Sequence, residues 1–244
     1  MAATKCNEPT GIDCIKYQNQ SKKYNIVLFG YPGSGKTTIA KKLQTDFNQF
    51  HIISSGKILR KDVKNHTSLG IEIEEQMNSG NIISTKSIIN VLFSYINQLQ
   101  TDLPNCFYLF DGCPRTIEEA DLLLANVSID AVIYLDVPRD VVTDRLKHRF
   151  IHEASGRTYS DNYVCELSKV SGFDDITQEK LIQRIDDQPD AVATRLSIFE
   201  DKTLPLLEYF KNLGILYTFS GTDSDTLYSQ IKTTISESLN DTKA

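Results

Sequence analysis

Several features that would define other classes of protein are missing from this sequence of 244 residues. The five cysteines form no C-x-x-C pair, so neither a zinc ribbon nor a thioredoxin-type redox motif is present. An odd cysteine count without a signal peptide is typical of a reducing compartment. No apolar run approaches the roughly 18 residues that a membrane-spanning helix needs, and we expect no association with membranes.

The chain also lacks an excess of positive charge, because its formal net charge is −6 at pH 7. Such a chain has no bulk electrostatic attraction to DNA, RNA or anionic lipid, and we expect no nucleic-acid partner. Hydrophobic residues make up 40% and charged residues 24%, which is ordinary for a folded globular protein. If the protein binds phosphates, its positive charge must therefore be concentrated locally.

The amino-terminal segment has little that would direct the chain to an organelle. It lacks the glycine after Met1 that myristoylation requires, and no arginine occurs before Arg60, which is unusual for a mitochondrial presequence. We expect a cytoplasmic protein, with the mitochondrial matrix as the alternative. Residues 1–23 are mostly polar and predict a loose extension ahead of the folded domain.

Short apolar runs rich in β-branched and aromatic residues predict the strands of a parallel sheet. Four are clear, and residues 50–53 form a weaker one; the clear runs are 25–29, 106–110, 131–135 and 215–219. Segments of helical periodicity separate them, at 38–47, 84–99, 117–125, 139–150 and 189–213. Alternating strands and helices predict an α/β fold with ligands at the carboxyl ends of the strands.

Two stretches interrupt this alternation. Residues 55–80 have a helical pattern without a strand of their own, and residues 151–177 have mixed polarity and no clear helix. A structureless loop of that length is uncommon inside a compact domain. Both stretches therefore predict small subdomains attached to the sheet, of the kind that closes over substrates.

The segment after the first predicted strand has the pattern G-x-x-x-x-G-K-[ST], from Gly30 to Thr37, and a helix follows it. This strand–loop–helix context predicts a site for the phosphates of a nucleoside triphosphate. Backbone N–H groups would surround the phosphates, Lys36 would reach the β and γ oxygens, and a threonine hydroxyl could ligate Mg²⁺. The motif alone does not distinguish GTPases, ATPases and kinases.

Six further motifs accompany the phosphate loop along the chain. They are Pro32 within the loop, Ile53–Gly56 followed by Arg60, Asp111–Thr116, Arg149–His152 with Ser155–Tyr159, Asp174–Thr177, and Arg184–Gln188 followed by Arg195. In this order they resemble the motifs of the adenylate kinase family, over a region from about Tyr24 to Ile235. Six ordered matches are far more specific than any single one.

The resemblance implies a P-loop NTPase-type α/β fold, with a five-stranded parallel sheet flanked by helices. It implies a kinase domain at 24–244, whose core comprises 24–53, 86–149 and 184–244. An insert for the nucleoside monophosphate (NMP) is expected at about 54–85, and a LID insert at about 150–183. The usual state in this family is a monomer, which we also expect here.

The activity that the resemblance implies is transfer of the γ-phosphoryl group of GTP or ATP to AMP, with Mg²⁺ as cofactor. Phosphoryl transfer requires mainly positioning and charge neutralisation, which arginine side chains provide. By resemblance, the catalytic residues are Lys36, Arg115, Arg149, Arg184 and Arg195. The triphosphate site comprises Gly30, Gly33, Ser34, Gly35, Lys36, Thr37, Thr38, Arg145, Thr222 and Asp223. The AMP site comprises Ser55, Gly56, Arg60, Ile83, Gly112, Arg115 and Glu119, and Thr37 and Asp111 hold Mg²⁺, partly through water.

Some relatives carry a zinc ion in the LID, at positions that correspond here to His152, Ser155, Asp174 and Thr177. Serine and threonine are poor zinc ligands compared with cysteine, so we expect no structural zinc. The resemblance is to the form in which these four side chains hydrogen-bond one another.

The sequence departs from the family pattern at three positions that bear on function. Thr37 replaces a usual glycine, Lys57 a usual aspartate, and Glu119 a usual glutamine. The second carboxylate oxygen of Glu119 would face the N1 lone pair of adenine, whereas the N1–H of guanine would suit it. AMP is the expected acceptor and GMP the alternative. Lys57 and Glu119 also leave open a nucleotide-binding module of the same fold with weak catalysis.

The carboxyl-terminal half, notably residues 205–210 and 219–223, most resembles the GTP:AMP phosphotransferase branch of the family. Residues in the second segment would border the donor base. We therefore expect Asp223 or Asp225 to accept hydrogen bonds from guanine and to favour GTP over ATP. A GTPase switch is a third interpretation, which the LID and the two-substrate arginine set disfavour.

Overall fold

A computed structural model describes residues 23–160 and 172–241, and five of its strands form one parallel sheet. The strands are β1 Ile26–Gly30, β2 Phe50–Ser54, β3 Phe107–Asp111, β4 Ala131–Asp136 and β7 Leu216–Ser220. Their order across the sheet is β2-β3-β1-β4-β7. The predicted α/β fold with five parallel strands is confirmed, and each strand end lies within one residue of its predicted position. The carboxyl ends of β1, β3 and β4 adjoin, where open α/β sheets bind ligands.

The central strand β1 is apolar throughout because both faces of the sheet are covered. Ile26 and Leu28 pack into one buried cluster, whereas Val27 and Phe29 pack into the other. This alternation follows from the two-residue period of a strand. The four side chains are at most 3% exposed, so the loop after β1 starts from a rigid base.

Helices cover both faces of the sheet. They are α1 Lys36–Asp46, α2 Ser55–Lys64, α3 Ser68–Ser79, α4 Thr85–Asp102, α5 Ile117–Asn126, α6 Arg139–Lys147, α7 Pro189–Ile198, α8 Leu206–Asn212 and α9 Ser224–Asp241. The α1, α6 and α9 side chains pack with Ile26 and Leu28, and those of α4, α5 and α8 with Val27 and Phe29.

Two helix predictions were too long. The helix expected at 139–150 ends at Lys147, because Arg149–His152 forms strand β5 of a hairpin with β6, Arg157–Ser160. The helix expected at 189–213 is broken by a π-helical turn at Phe199–Thr203 and by Pro205, which lacks the N–H that an uninterrupted helix needs.

The helical segment predicted at 55–80 is two helices, α2 and α3, packed closely together. Thr67 caps α3 by accepting a hydrogen bond from the backbone N–H of Gly70 at 3.0 Å. A Cβ atom on Gly70 would lie 2.2 Å from the carbonyl oxygen of Asp62, a contact that backbone cannot accommodate. Only glycine therefore lets the two helices approach this closely.

Asn25 joins three chain segments at the amino end of the sheet. Its side-chain amide donates to the carbonyl of Ser128 at 2.9 Å and accepts from the N–H of Tyr108 at 2.8 Å. Its own backbone N–H donates to the Asp130 carboxylate at 2.8 Å. The start of β1 is thereby bonded to both of its neighbouring strand segments.

The predicted extension falls, except for Lys23, outside the described residues, as do Cys6, Cys14 and Cys165. Residues 161–171, within the predicted LID, are also outside them, and the proposed domain boundaries remain predictions. No helix in the described ranges is both long and apolar enough to span a bilayer.

Candidate active site

The loop between β1 and α1 is wrapped around the side chain of Lys36. The ammonium donates to the carbonyl oxygens of Gly30 at 2.7 Å and Tyr31 at 2.6 Å. Burial lowers the pKa of Lys36 to about 7, and nearby arginines add to this effect against the opposing influence of Asp111. The charge of this buried lysine is thus destabilised, and an anionic ligand bound beside it would stabilise it.

Glycine is required in this loop for reasons of both space and backbone conformation. Gly33 has φ +84°, and a Cβ atom there would lie 2.9 Å from the carbonyl oxygen of Val142. Gly35 precedes the first residue of α1 with φ +96°. The predicted loop residue Gly30 ends β1, and in the turn that follows it Ser34 donates its N–H to the carbonyl of Tyr31 at 3.1 Å. The backbone can therefore approach phosphates closely at the start of α1.

Thr37 and Asp111 bring hard oxygen ligands together across the carboxyl ends of β1 and β3. The Thr37 hydroxyl donates to Asp111 Oδ2 at 2.7 Å. A hydroxyl and a carboxylate beside a phosphate loop fit Mg²⁺, which takes few protein ligands and completes its shell with phosphate and water. No group of three or more His, Cys, Asp or Glu residues suited to a metal occurs among residues 23–160 and 172–241.

Two adjacent carboxylates, Asp186 and Asp187, hold the arginines of the predicted transfer site. Arg149 contacts Asp187 through both Nε, at 2.8 Å, and Nη2. Arg195 donates to Asp187 Oδ1 at 3.0 Å and to the Asp186 carbonyl at 2.7 Å. Burial opposes ionisation of Asp186, but Arg195 and its neighbours hold its pKa below the ordinary value. The guanidinium groups are therefore fixed before any ligand arrives.

Arg60 and Arg184 complete this arginine group. Arg60 Nη1, in the predicted NMP insert, lies 3.9 Å from the Asp186 carboxylate that Arg195 also contacts. Burial lowers the pKa of Arg184 to about 9, with further contributions from Arg60 and Arg149. Within the described part of the chain, the buried Nε of Arg184 has no hydrogen-bond partner. A cation in that situation would be stabilised by a bound anion.

The segment from Asp111 to Thr116 presents Arg115 toward the same region. Arg115 Nε donates to the Gly112 carbonyl at 2.8 Å, and Ser55 Oγ donates to that carbonyl at the same distance. The peptide bond before Pro114 is cis. Gly56 lies beside Arg60, since a Cβ atom there would be 3.0 Å from its Nη2. The predicted acceptor residues are thus linked through the backbone of Gly112.

Glu119 lies at the first turn of α5, and its side chain is fully buried. Its Oε2 accepts from the backbone N–H of Arg115 at 2.7 Å and from the Cys113 thiol at 3.7 Å. Thr116 caps α5 by accepting from the N–H of Glu119 at 3.2 Å. Burial raises the pKa of Glu119, against the influence of the Arg115 amide and guanidinium.

The residues predicted for the donor base lie between α6 and the start of α9. Arg145 donates to the carbonyl of Thr222 and, at 3.4 Å, to that of Gly33. Asp223 Oδ2 accepts from the N–H and the hydroxyl of Thr226, both at 2.7 Å, and so caps α9. Asp225 forms an ion pair with Lys42. Both carboxylates proposed to recognise guanine therefore also have structural partners.

The four LID side chains proposed to replace zinc ligands lie in one hydrogen-bond network. His152 Nδ1 and Ser155 Oγ are 2.7 Å apart, His152 Nε2 and Thr177 Oγ1 are 3.3 Å apart, and Thr177 donates to Asp174 at 3.0 Å. Asp174 also accepts from Arg157, whose guanidinium holds the pKa of that carboxyl far below its ordinary value. Arg157, Tyr159 and Glu179 belong to the network although sequence reasoning did not assign them to it.

The structure brings most of the predicted site residues together. The side chain of Ile83, proposed for AMP, is 3% exposed and packs in the apolar core. Thr37 and Thr38, both proposed for the triphosphate, are exposed at the start of α1. Sequence reasoning missed the π-helical turn, where Glu200 accepts from the Tyr31 hydroxyl at 3.0 Å and Thr203 donates to Arg115. Nothing local in that sequence indicates partners so far away along the chain.

Comparisons with known proteins find relatives over most of this chain. A family model described as adenylate kinase matches residues 28–215. The chain is 34% identical over 220 residues to a Drosophila melanogaster protein named GTP:AMP phosphotransferase, mitochondrial, covering 90% of this chain and 99% of that one. It is 41% identical over 192 residues to adenylate kinases of two Coxiella burnetii strains, Dugway 5J108-111 and RSA 331 / Henzerling II, covering 76% of this chain and 78% of each.

Proposed function

This chain belongs to the adenylate kinase family, and from that premise we propose that it transfers the γ-phosphoryl group of a nucleoside triphosphate, preferably GTP, to AMP. Membership makes it a phosphotransferase with nucleoside monophosphate kinase activity. The proposal concerns the identity of the two substrates, the products (ADP and a nucleoside diphosphate), and the residues that act on them.

The observation that carries the proposal is a cluster of buried positive charge around Lys36. Burial lowers the pKa of Lys36, and the nearby guanidinium groups of Arg115, Arg149 and Arg195 lower it further. Like charges repel, so these groups destabilise one another when no anion is bound. Two bound nucleotides would supply the negative charge that these cations lack. Without the cations, the phosphates of the two nucleotides would repel each other. The site can therefore offset the repulsion between a triphosphate and a monophosphate, which is the main electrostatic requirement of this reaction.

The arginines would act as positioned hydrogen-bond donors to the transferring group. Asp186 and Asp187 orient Arg149 and Arg195 in advance, which removes the cost of ordering them during the reaction. Lys36 would exchange the carbonyls of Gly30 and Tyr31 for phosphate oxygens and would keep its proton there.

Thr37 and Asp111 are the residues that would hold Mg²⁺, directly or through water. When bound, the ion would neutralise part of the charge on the phosphate oxygens. Asp111 already orients the Thr37 hydroxyl by a 2.7 Å hydrogen bond, so this chain's own contribution is a preformed pair of oxygens.

The test is an assay of the purified full chain with GTP or ATP, AMP and Mg²⁺, in which ADP formation is measured. We expect turnover that needs both nucleotides, and an inactive Lys36→Met variant that is still folded. Release of phosphate from the donor at an equal rate without AMP would contradict the proposal and would favour a GTPase.

Support for GTP as the donor comes from the 34% identical relative, whose name specifies GTP and AMP, and from the carboxylates of the turn before α9. A carboxylate has about four acceptor sites, so Asp223 can cap α9 and still accept from guanine. We expect kcat/KM for GTP to exceed that for ATP by at least about tenfold. Asp223→Asn should reduce this ratio, whereas Asp225→Asn should not, because the Asp225 carboxylate is already paired with Lys42. An equal or larger value for ATP would contradict the preference.

Lys57 supports a second candidate, a nucleotide-binding module with weak catalysis. It is exposed on α2, and burial together with Lys57 lowers the pKa of Lys41 on α1. An additional cation at this position can favour bound nucleotide over turnover. Tight binding of both nucleotides without ADP formation would favour this candidate, provided that Lys57→Asp restores ADP formation.

The proposal extends to the compartment and the oligomeric state of the protein. We propose a cytoplasmic monomer, with the mitochondrion as the alternative because the Drosophila relative is named as mitochondrial. Imaging of the full chain with a carboxyl-terminal tag, and its mass in solution, would test both.

A further inference from the structure

Glu119 combines complete burial with an incomplete set of hydrogen bonds. Its Oε2 is used by the N–H of Arg115 and the thiol of Cys113. Its Oε1 is also buried, but no donor or acceptor among residues 23–160 and 172–241 bonds to it. An ionised carboxylate with a buried, unpartnered oxygen is costly, because desolvation of that oxygen is not compensated.

The groups that face Glu119 do not remove this cost. The Arg115 guanidinium favours the anion but directs its Nε to the Gly112 carbonyl, at 2.8 Å. Burial raises the pKa of the Cys113 thiol well above its ordinary value, so this group is neutral, and Glu118 adds negative charge. The amino-terminal end of α5 and the N–H of Arg115, which donates to Oε2, also favour the anion, but their influence is smaller than that of burial. The balance leaves burial as the dominant influence, and it raises the pKa of Glu119.

Protonation changes which base edge this side chain can pair with. A neutral carboxylic acid offers one O–H donor and one acceptor oxygen, as a primary amide does. The edge of adenine presents the complementary pair, an acceptor at N1 and a donor at the amino group. Guanine presents donors at N1 and N2, which suit an ionised carboxylate instead. The proton on Glu119 would therefore decide between the two bases.

We propose that Glu119 holds a proton on Oε1 and donates it in a hydrogen bond to the ring nitrogen of the acceptor base, so that the protein selects AMP over GMP. The proposal rests on the acceptor pocket of the proposed function. Because Glu119 is fully buried, it also requires the side chains that cover Oε1 to move aside when the base binds. It assigns specificity to a carboxylic acid rather than to an amide, and no covalent step is involved.

The test measures AMP binding by calorimetry without donor nucleotide, between pH 5 and pH 9. Three proteins are compared: the wild type, Glu119→Gln, and the matched control Glu118→Gln, in which a neighbouring exposed carboxylate is neutralised. The ratio of the wild-type Kd to that of Glu119→Gln cancels the titration of the AMP phosphate, which the proteins share. We expect this ratio to be near one at low pH. It should rise by up to about tenfold per pH unit above the titration of Glu119, because binding then requires uptake of one proton.

Glu118→Gln should follow the wild type, and the preference of the wild type for AMP over GMP should fall as the pH rises. The proposal is overturned if the Kd ratio is constant across the range, or if Glu119→Gln binds AMP more than about tenfold more weakly at pH 5. Tighter binding of GMP than AMP at pH 6 would also overturn it.

If Glu119→Gln does not fold, the wild type alone provides the second measurement. Calorimetry in two buffers of different ionisation enthalpy reports proton uptake on AMP binding at pH 8 and pH 9. Uptake approaching one proton supports the proposal, and no uptake at either pH overturns it. Because no donor is present, these outcomes are independent of turnover: pH-linked binding by an inactive protein would reject only the proposed function.

Discussion

Thr203 donates its hydroxyl to the carbonyl oxygen of Arg115 at 2.8 Å, across 88 positions of the sequence. Thr203 ends the π-helical turn and is 5% exposed, so water does not replace this bond. The same turn contributes Phe199, whose ring lies 4.3 Å from that of Tyr31 in the phosphate loop. One irregular turn therefore contacts both the donor loop and the backbone of the proposed acceptor clamp.

Removal of this hydrogen bond should displace Arg115 without removing it. In Thr203→Val the Arg115 carbonyl is left buried and unpaired, at a cost of about 1–3 kcal/mol. We expect KM for AMP to rise by about tenfold with KM for the donor nearly unchanged. Thr203→Ser, which keeps the hydroxyl, should restore most of the affinity. Equal losses for both substrates would indicate a general structural defect instead.

Arg184 should be needed for catalysis and dispensable for stability. Its buried cation lacks a partner at Nε in the described part of the chain, and burial lowers its pKa to about 9. Arg184→Lys should reduce kcat by about 10³, because an ammonium group cannot form the bidentate hydrogen bonds that a guanidinium group makes with phosphate. The melting temperature of this variant should not fall. The matched control is Arg139→Lys, an exposed arginine paired with Glu200, which should leave kcat within about twofold.

The stability effect of Lys36 should depend on pH in a defined direction. Burial lowers its pKa from the ordinary value near 10.5 to about 7, so the unfolded chain binds more protons than the folded one between these values. Stability from this group therefore rises as the pH increases from about 7 toward 10.5. Lys36→Met removes the penalty, and its melting temperature relative to wild type should be higher at pH 6.5 than at pH 9.5. Lys61→Met, at an exposed position of α2, should show no such trend.

Asp174 should stabilise the LID hairpin locally. The Arg157 guanidinium holds the pKa of this carboxyl well below its ordinary value, so its contribution is present above about pH 4 and is lost as the pH falls further. Asp174→Asn should speed amide hydrogen exchange in residues 149–160 and 172–182 at pH 7. Asp175→Asn, which changes the contact with Tyr159, should have a smaller effect. Equal rates in the two variants would contradict the central role of Asp174.

The sheet could be predicted from sequence because its strands are buried on both faces and are continuously apolar, as in Ile26–Phe29. The arginine group could be predicted only through family motifs, since no local pattern distinguishes Arg184 from a surface cation. No local sequence signal indicates that the carboxylates of Asp186 and Asp187 hold this arginine group. Their partners Arg149 and Arg195 approach them only through the fold.

One error of interpretation has a clear physical origin. The helical pattern of 189–213 holds for α7 and α8, but Pro205 and the π-helical turn interrupt the backbone hydrogen bonds between them, and a pattern of apolar residues does not reveal such a break. Periodicity predicts which residues are buried and does not predict what they face.

Asn25 fixes the amino end of β1, at the end of the sheet opposite the phosphate loop. Its hydrogen bonds to Tyr108, Ser128 and Asp130 resist displacement of the strand along its axis when phosphates bind to the loop. We therefore expect the motion that brings two nucleotides together to come from the segments attached to the sheet, while the donor loop stays in place.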